Sequence, residues 1–350
     1  MKKSFLAVAM GLSAVFGASV AQADALLFPH YQASSKTGVV SFLSLANVIG
    51  INAAVHYVWS FKLPGQTLGQ GCAHEDAWGR LTGWDIIQQV VTAPSISHFD
   101  LVGVDTKDKS GPAYSLTDDA EGYLIVSNWL SQSVGSLDDA SQALPESSLA
   151  GQLIYVDMVN KIYSGERGLN NPSTKDLRGP YGNPPYGAPN MNDGLEQGAW
   201  DSVYTSHPSF DLTWYPKDIV DTSWYLLATG RDMSGLISGQ AQWDGTLGVQ
   251  NGFNVVWDRD EVPRSGNRPL FVVCASRITR DMIMQPAQVT HTDNGGYMWM
   301  TLMPATTNLS YVTGGMLTKI EMSTAGVKAS FGGNVVQAMS FENPWPNIPF

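Results

Sequence analysis

Three of the six histidines stand two residues before an aspartate: His74-Glu75-Asp76, His98-Phe99-Asp100 and His291-Thr292-Asp293. In an extended chain, residues two apart face the same side. Each pair then presents a neutral imidazole beside a carboxylate, a ligand combination suited to Zn²⁺. Brought together, the three pairs would form a metal site. The plainer reading, a histidine hydrogen-bonded to its own aspartate at a turn or sheet edge, carries more weight. A second group is aromatic. Trp214, Tyr215, Trp224, Tyr225 and Trp243 are interleaved with Asp211, Asp218, Asp221 and Asp244. Ring faces and carboxylates together bind sugars, and paired carboxylates can hydrolyse a glycosidic bond. The stretch from Tyr204 to Trp257 is therefore a candidate carbohydrate-binding or carbohydrate-acting segment. Large aromatics also fill β-cores, and no carboxylate pair stands out as catalytic. The acidic turns Asp105–Asp108 and Asp258–Glu261 offer oxygens for a loop calcium ion. Aspartate is equally an ordinary turn former, and neither turn has EF-hand spacing.

Other signatures of chemistry are missing. The sequence holds no Gly-x-Ser-x-Gly nucleophile elbow, no phosphate-binding glycine loop and no His-Glu-x-x-His helix. The reading leans away from an enzyme, assigns no catalytic residue and expects no cofactor. Twenty basic against 31 acidic side chains argue against a nucleic-acid partner. Hydrophobic residues at 43% and charged residues at 15% are enough to fill a folded core.

The first 23 residues read as an export leader. Met1-Lys2-Lys3 is basic, Phe5–Val20 is apolar, and Ala21-Gln22-Ala23 is a small-x-small cleavage site. Cleavage leaves 18 basic and 31 acidic side chains, a formal charge of −13. No later run is long and apolar enough for a spanning helix. The layout is bacterial, and the expected destination is the periplasm, cell surface or medium of a Gram-negative cell. Export carries Cys72 and Cys274, the two cysteines, into an oxidising compartment, where a disulfide between them is expected. Such a bond ties the first third of the mature chain to the last third.

The elements positioning these residues read as short β-prone runs between Gly, Asn, Asp and Pro. Candidate strands are 38–48, 52–62, 122–128, 152–163, 253–258, 270–278, 297–303 and 334–341. The first two read as a hairpin joined at 49–51. In the second, Val55, Tyr57, Trp59 and Phe61 alternate with His56, Val58 and Ser60, as in a strand covered on both faces. Ser136–Leu144 reads as a helix, and Asp76–Val91 stays open between a bent helix and a loop entering a strand. Residues 169–194 contain five Pro, five Asn and four Gly and form a long irregular loop, either a surface excursion or a lid carrying Tyr181 and Tyr186. The expected architecture is mainly β and β-sandwich-like, with antiparallel sheets and a few short helices. It divides into a leader at 1–23, an N-terminal half at 24–167, a loop at 168–196 and a C-terminal half at 197–350 packed on the first.

Ala25–Tyr31 (ALLFPHY), the Thr37-Gly38 turn, the run Val39–Asn47 and Ala120–Asn128 (AEGYLIVSN) resemble a loose group of exported, β-rich proteobacterial proteins. That group begins with a Leu-Leu-Phe-Pro-Tyr-like segment and later carries a Glu-Gly-Tyr/His strand. His30 stands where the group has tyrosine, with Tyr31 next to it. The resemblance implies export and β-structure. The group has no established activity, so it supplies no site residues. Taken together, the sequence points to an exported, non-enzymatic binding or surface protein. Partners could be a second copy, a strand paired through Ala25–Phe28, or a glycan. The alternatives are the carbohydrate-directed protein above and an outer-membrane β-barrel, which the proline-rich end Asn343–Phe350 disfavours.

Overall fold

The computed structural model describes residues 25–33, 39–47, 53–62, 65–81, 86–91, 96–99, 120–130, 149–157, 162–170, 210–230, 246–249, 255–265, 268–300, 302–304, 312–323 and 334–340. The leader, the 136–144 helix and nearly all of the 168–196 loop lie outside them. What is described is almost entirely antiparallel strand, arranged as four layers.

The first layer runs β6 (Ile96–Phe99), β5 (Ile86–Val91), β2 (Val39–Asn47), β8 (Leu149–Asp157), β9 (Ile162–Arg167). The second runs β10 (Leu169–Asn170), β1 (Ala25–Ala33), β7 (Ala120–Leu130), β3 (Ala53–Lys62), β4 (Ala73–Leu81). The third runs β17 (Ala275–Thr279), β12 (Val220–Gly230), β20 (Val312–Ser323), β21 (Asn334–Ser340). Two small sheets complete the fourth. One is β11 (Phe210–Trp214), β18 (Gly296–Met300), β14 (Val255–Asp258), β15 (Pro263–Ser265). The other is β16 (Leu270–Val273), β13 (Thr246–Val249), β19 (Leu302–Pro304).

Side-chain alternation assigns each strand face to a core. Leu26 and Phe28 of β1 and Leu124 and Val126 of β7 face the first layer, meeting Leu43, Leu45 and Leu153. Leu27, Tyr123 and Ile125 face the third layer, meeting Tyr225, Leu227, Ala275 and Met316. On β12 the neighbours Trp224, Leu226 and Ala228 turn the other way, to Phe210, Leu212, Val272 and Met298 of the fourth layer. The second and third layers are thus apolar on both faces, because both faces are covered. The middle core is built jointly by the two halves. No sheet among the described strands closes on itself; the described sheets are stacked in layers.

The expected hairpin at 38–62 does not form. β2 pairs with β5 and β8, and β3 with β4 and β7. Both strands carry bulky apolar side chains, and these meet face to face in one core: Leu43 and Leu45 from β2, Tyr57, Trp59 and Phe61 from β3. The two strands lie in different layers, which buries both apolar faces where a hairpin would leave them side by side. Asp76–Val91 resolves into β4 and β5. β1 lies inside its sheet between β10 and β7, so its pairing partners belong to its own chain.

Gly122 is required where β7 approaches β3: a Cβ there would lie 2.0 Å from the Ser60 carbonyl oxygen. Two short helices, α1 (Arg280–Ile283) and α2 (Pro286–His291), sit between β17 and β18. Pro286 occupies the first turn of α2, where its missing N–H costs nothing.

Cys72 and Cys274 form a disulfide with Cα atoms 5.9 Å apart. Cys274 has φ of 63°, a left-handed conformation at the break between β16 and β17. The bend lets one continuous run serve two layers. β16 pairs with β13, and β17 with β12.

Candidate functional site

Two arrangements combine chemistry-bearing residues: a buried ion network in the seam between the halves, and an aromatic sheet face on the outside.

The network begins at Pro29. Proline has no N–H for the ladder, and the β1–β7 register slips between Phe28 and Tyr31. His30 is left 2% exposed, stacked on Tyr155 at 5.2 Å and tilted against Tyr225 at 4.8 Å. Its Nε2 lies 2.6 Å from Oε1 of Glu121. Arg277, from the other half, donates Nε to both Glu121 oxygens at 2.9 and 3.1 Å. Its Nη1 donates to Ser223 Oγ at 2.8 Å and its Nη2 to Gln32 Oε1 at 3.1 Å. Five residues of four strands are joined through one carboxylate and one guanidinium.

Burial alone would raise the Glu121 carboxyl, but the Arg277 charge and the hydrogen bonds from His30 and Arg277 outweigh it and lower it to about 2. Burial lowers the His30 imidazole below its ordinary value of 6.5, against the opposing pull of Glu121. Arg277 would be lowered by burial, but Glu121 raises it. The His30 ring is therefore neutral at pH 7, with Nε2–H donating to Glu121 and Nδ1 buried without a hydrogen-bond partner. A carboxylate lowered to about 2 and held by a guanidinium carries no proton to donate as a general acid at neutral pH. An imidazole sealed between two tyrosines cannot exchange protons with a bound substrate. The arrangement works as a clamp between the halves.

The clamp makes stability depend on pH with a definite sign. The unfolded chain protonates Glu121 near 4.5 and the folded chain near 2. The contribution is complete above 4.5 and lost as pH falls towards 2, on the order of 3 kcal/mol. His30 acts in the same direction. Its folded value is depressed, so the unfolded chain takes up a proton first as pH falls through 6.5. Urea denaturation between pH 7 and 3 is expected to show falling stability, beginning below about 6.5 and steepening below about 4.5. A flat profile from pH 7 to 4 would exclude the clamp.

The aromatic face follows from period-two alternation in the fourth layer. Phe210, Leu212, Trp214, Val256, Met298 and Met300 point inward. The intervening positions Asp211, Thr213 and Trp299 are exposed, and Trp257 and Tyr297 are half-buried. Trp257 and Tyr297, direct register partners, stack at 4.8 Å and 7°. Trp299 meets Trp257 edge-on at 5.1 Å and 66°, and remains 52% exposed. Across the ladder, Asp211 lies opposite Trp299 and Thr213 opposite Tyr297. Lys319 donates to Thr213 Oγ1 at 2.9 Å and sits 5.5 Å from the centre of the Tyr215 ring. Gly296 keeps β18 close to its neighbours, since a Cβ there would lie 2.4 Å from the Trp257 carbonyl oxygen. Beside this face a cleft is lined by Tyr215, Asp221, Asp281, Arg277 and Arg280. Its two guanidiniums are engaged. Arg277 serves the clamp, and Arg280 donates to the Thr292 carbonyl at 2.7 Å and pairs with Asp293.

The residues singled out from the sequence fall as follows. Trp214 and Trp224 are buried and meet edge-to-face at 6.2 Å, and Trp214 Nε1 donates to the Thr292 carbonyl. Tyr225 is 1% exposed against His30, whereas Tyr215 is 58% exposed. Trp243 lies outside the described residues. Three of these five rings thus offer no face to solvent. His74 and Asp76 lie on β4 and His98 on β6, edge strands of different layers. Their side chains, and Asp100, are outside the described set. His291 is exposed at the end of α2, and Asp293 is the partner of Arg280. Among the described residues, no three His, Cys, Asp or Glu side chains gather at metal-binding distance. Asp105–Asp108 is also outside that set. Asp258 accepts backbone N–H bonds from Asp260 and Val262 and a 3.2 Å bond from Arg264. The Val262 bond is the main cause that lowers its carboxyl. Its oxygens are thus committed to organising a turn.

Sequence reasoning did not single out His30, Glu121 and Arg277 as a group, nor Trp257, Tyr297 and Trp299. For the second group a signal existed: Tyr297-Met298-Trp299-Met300 alternates rings with methionines.

No family model matches the chain. None of the curated proteins matches it. Among solved structures, the tip adhesin CupB6 from Pseudomonas aeruginosa aligns over 93% of this chain and 91% of its own, at 10% identity and a TM-score of 0.12. At that score the alignment establishes neither a shared fold nor a shared function.

Proposed function

We propose that this is an exported, non-enzymatic binding or surface protein. The observation that carries the reading is the outer face of the β11–β18–β14–β15 sheet, which presents aromatic rings to solvent where alternation would ordinarily place small polar residues. The sequence supports export through its leader-like first 23 residues, and a disulfide suits the oxidising compartments that export reaches. The best-developed polar cluster, around Glu121, is consumed in joining the halves, which supports binding over catalysis.

The test uses the chain expressed in a Gram-negative cell. The mature protein is expected to begin at Asp24 by mass spectrometry, to carry the oxidised disulfide, and to be retained saturably when labelled and mixed with isolated cell envelopes. A chain retaining residues 1–23 with reduced cysteines in the cytoplasm would overturn export. Absence of saturable retention would overturn the binding reading.

A further inference from the structure

We propose that residues 65–72, the loop from β3 to β4, form a strap that a dithiol releases by reducing the Cys72–Cys274 bond. Both flanking strands belong to the second layer, yet the loop fastens to the other half. Leu68 packs against the core between the third and fourth layers, whose other side chains lie between Phe210 and Leu317. The Val273 amide donates to the Leu68 carbonyl at 2.9 Å. The strap also keeps its own shape. The Gln70 amide donates to the Thr67 carbonyl at 3.1 Å, and the Thr67 amide to Gln70 Oε1 at 2.6 Å. Gly65 opens it with φ of 83°, a left-handed pivot. The two sulfurs are unequal: Cys72 is half-buried, whereas Cys274 is 1% exposed.

A thiolate arriving from solvent therefore reaches Sγ of Cys72. Its attack breaks the Sγ–Sγ bond, and Cys274 leaves as a thiolate that takes a proton from water. Burial disfavours the Cys274 thiolate, so a mixed disulfide with a single thiol readily reverts. In a dithiol the second thiol loses its proton, displaces Cys72 and closes the reagent's own disulfide. Cys72 is protonated in turn, and the protein has gained two electrons and two protons. Leu68 and the Val273 bond are then set against the freedom of an eight-residue loop, and the loop entropy is the larger. The halves themselves stay joined by the middle core and the Glu121–Arg277 clamp. Reduction thus frees a local element and uncovers Leu68 and its apolar seat.

The experiment compares the oxidised full chain with the same chain reduced by dithiothreitol, using hydrogen exchange read by mass spectrometry. On reduction the Val273 amide is expected to exchange at least about tenfold faster, while amides of β7 and β12 keep their protection. Two variants read the coupling through the equilibrium with dithiothreitol. Leu68→Ala weakens the seat, which exists only while the strap is fastened, and should favour reduction by about tenfold. Gly69→Ala should oppose reduction by about two- to fivefold. Its Cβ would meet nothing within 4 Å, so its effect is to restrict the released strap. A strap that stays seated after reduction would leave both equilibria unchanged, because each variant would then act equally on the two redox forms. Three results would overturn the proposal: a Val273 amide still protected in the reduced chain, neither variant shifting the equilibrium, or β7 and β12 losing protection together with Val273, which would make the bond a staple of the whole fold.

Discussion

Arg277→Met is expected to lower the unfolding free energy by about 3–5 kcal/mol, the usual result of removing one partner from a buried charge pair. The guanidinium crosses from the third layer to the polar edge of the second, bonding Glu121 and Gln32, and is braced within its own layer by Ser223. Without it, the Glu121 carboxylate stays in the seam with His30 as its remaining partner in the network. Two outcomes should then appear together. Stability falls at pH 7. The His30 imidazole also titrates at a higher pH by NMR, because its proton is now needed to neutralise Glu121 and the repulsion from Arg277 is gone. The double variant Glu121→Gln, Arg277→Met removes both charges and should recover a large part of the loss. A single-variant cost below about 1 kcal/mol would place this pair with ordinary surface salt bridges.

Removing the Cys72–Cys274 bond should have an effect of similar size. It closes a loop spanning 202 positions, and the chain-entropy account gives about 5 kcal/mol for a loop that long. The replacement at position 274 separates two contributions. In Cys72→Ala, Cys274→Ala, the alanine inherits the left-handed φ of 63° that the break between β16 and β17 requires. In Cys72→Ala, Cys274→Gly, the cross-link is equally absent but that conformation is free. The glycine variant should therefore be the more stable of the two by about 1 kcal/mol, with both well below the oxidised parent. Equal stability of parent and both variants in urea would show that packing alone holds the halves together.

The architecture was readable in outline because its signal is local. Alternation, turn residues and β-branched and aromatic enrichment marked strands such as 122–128 and 334–341, and the apolar double face of 52–62 announced a covered sheet. Pairing was not readable. The face-to-face placement of β2 and β3 depends on which neighbour each apolar face meets, and neither strand's pattern carries that information. β12 and β20, the long central pair of the third layer, fall outside the candidate strands, and the sequence presents Trp224 and Tyr225 as a possible ligand site. Their rings point to opposite sides of one strand, into two cores. The clamp was illegible for a different reason. His30, Glu121 and Arg277 lie up to 247 positions apart, and each is unremarkable in its own segment. The outward rings of β14 and β18 left a trace in the alternation at 297–300, but exposure distinguishes a platform from a core, and exposure belongs to the folded molecule.

The middle core has a consequence in time. Its first wall, Leu27, Tyr123 and Ile125, is complete once the chain has reached β7. Its opposite wall, including Tyr225, Ala275 and Met316, lies a hundred to nearly two hundred residues further on. Folding cannot proceed as two independent events. Until both halves are present, neither wall of this core has its cover.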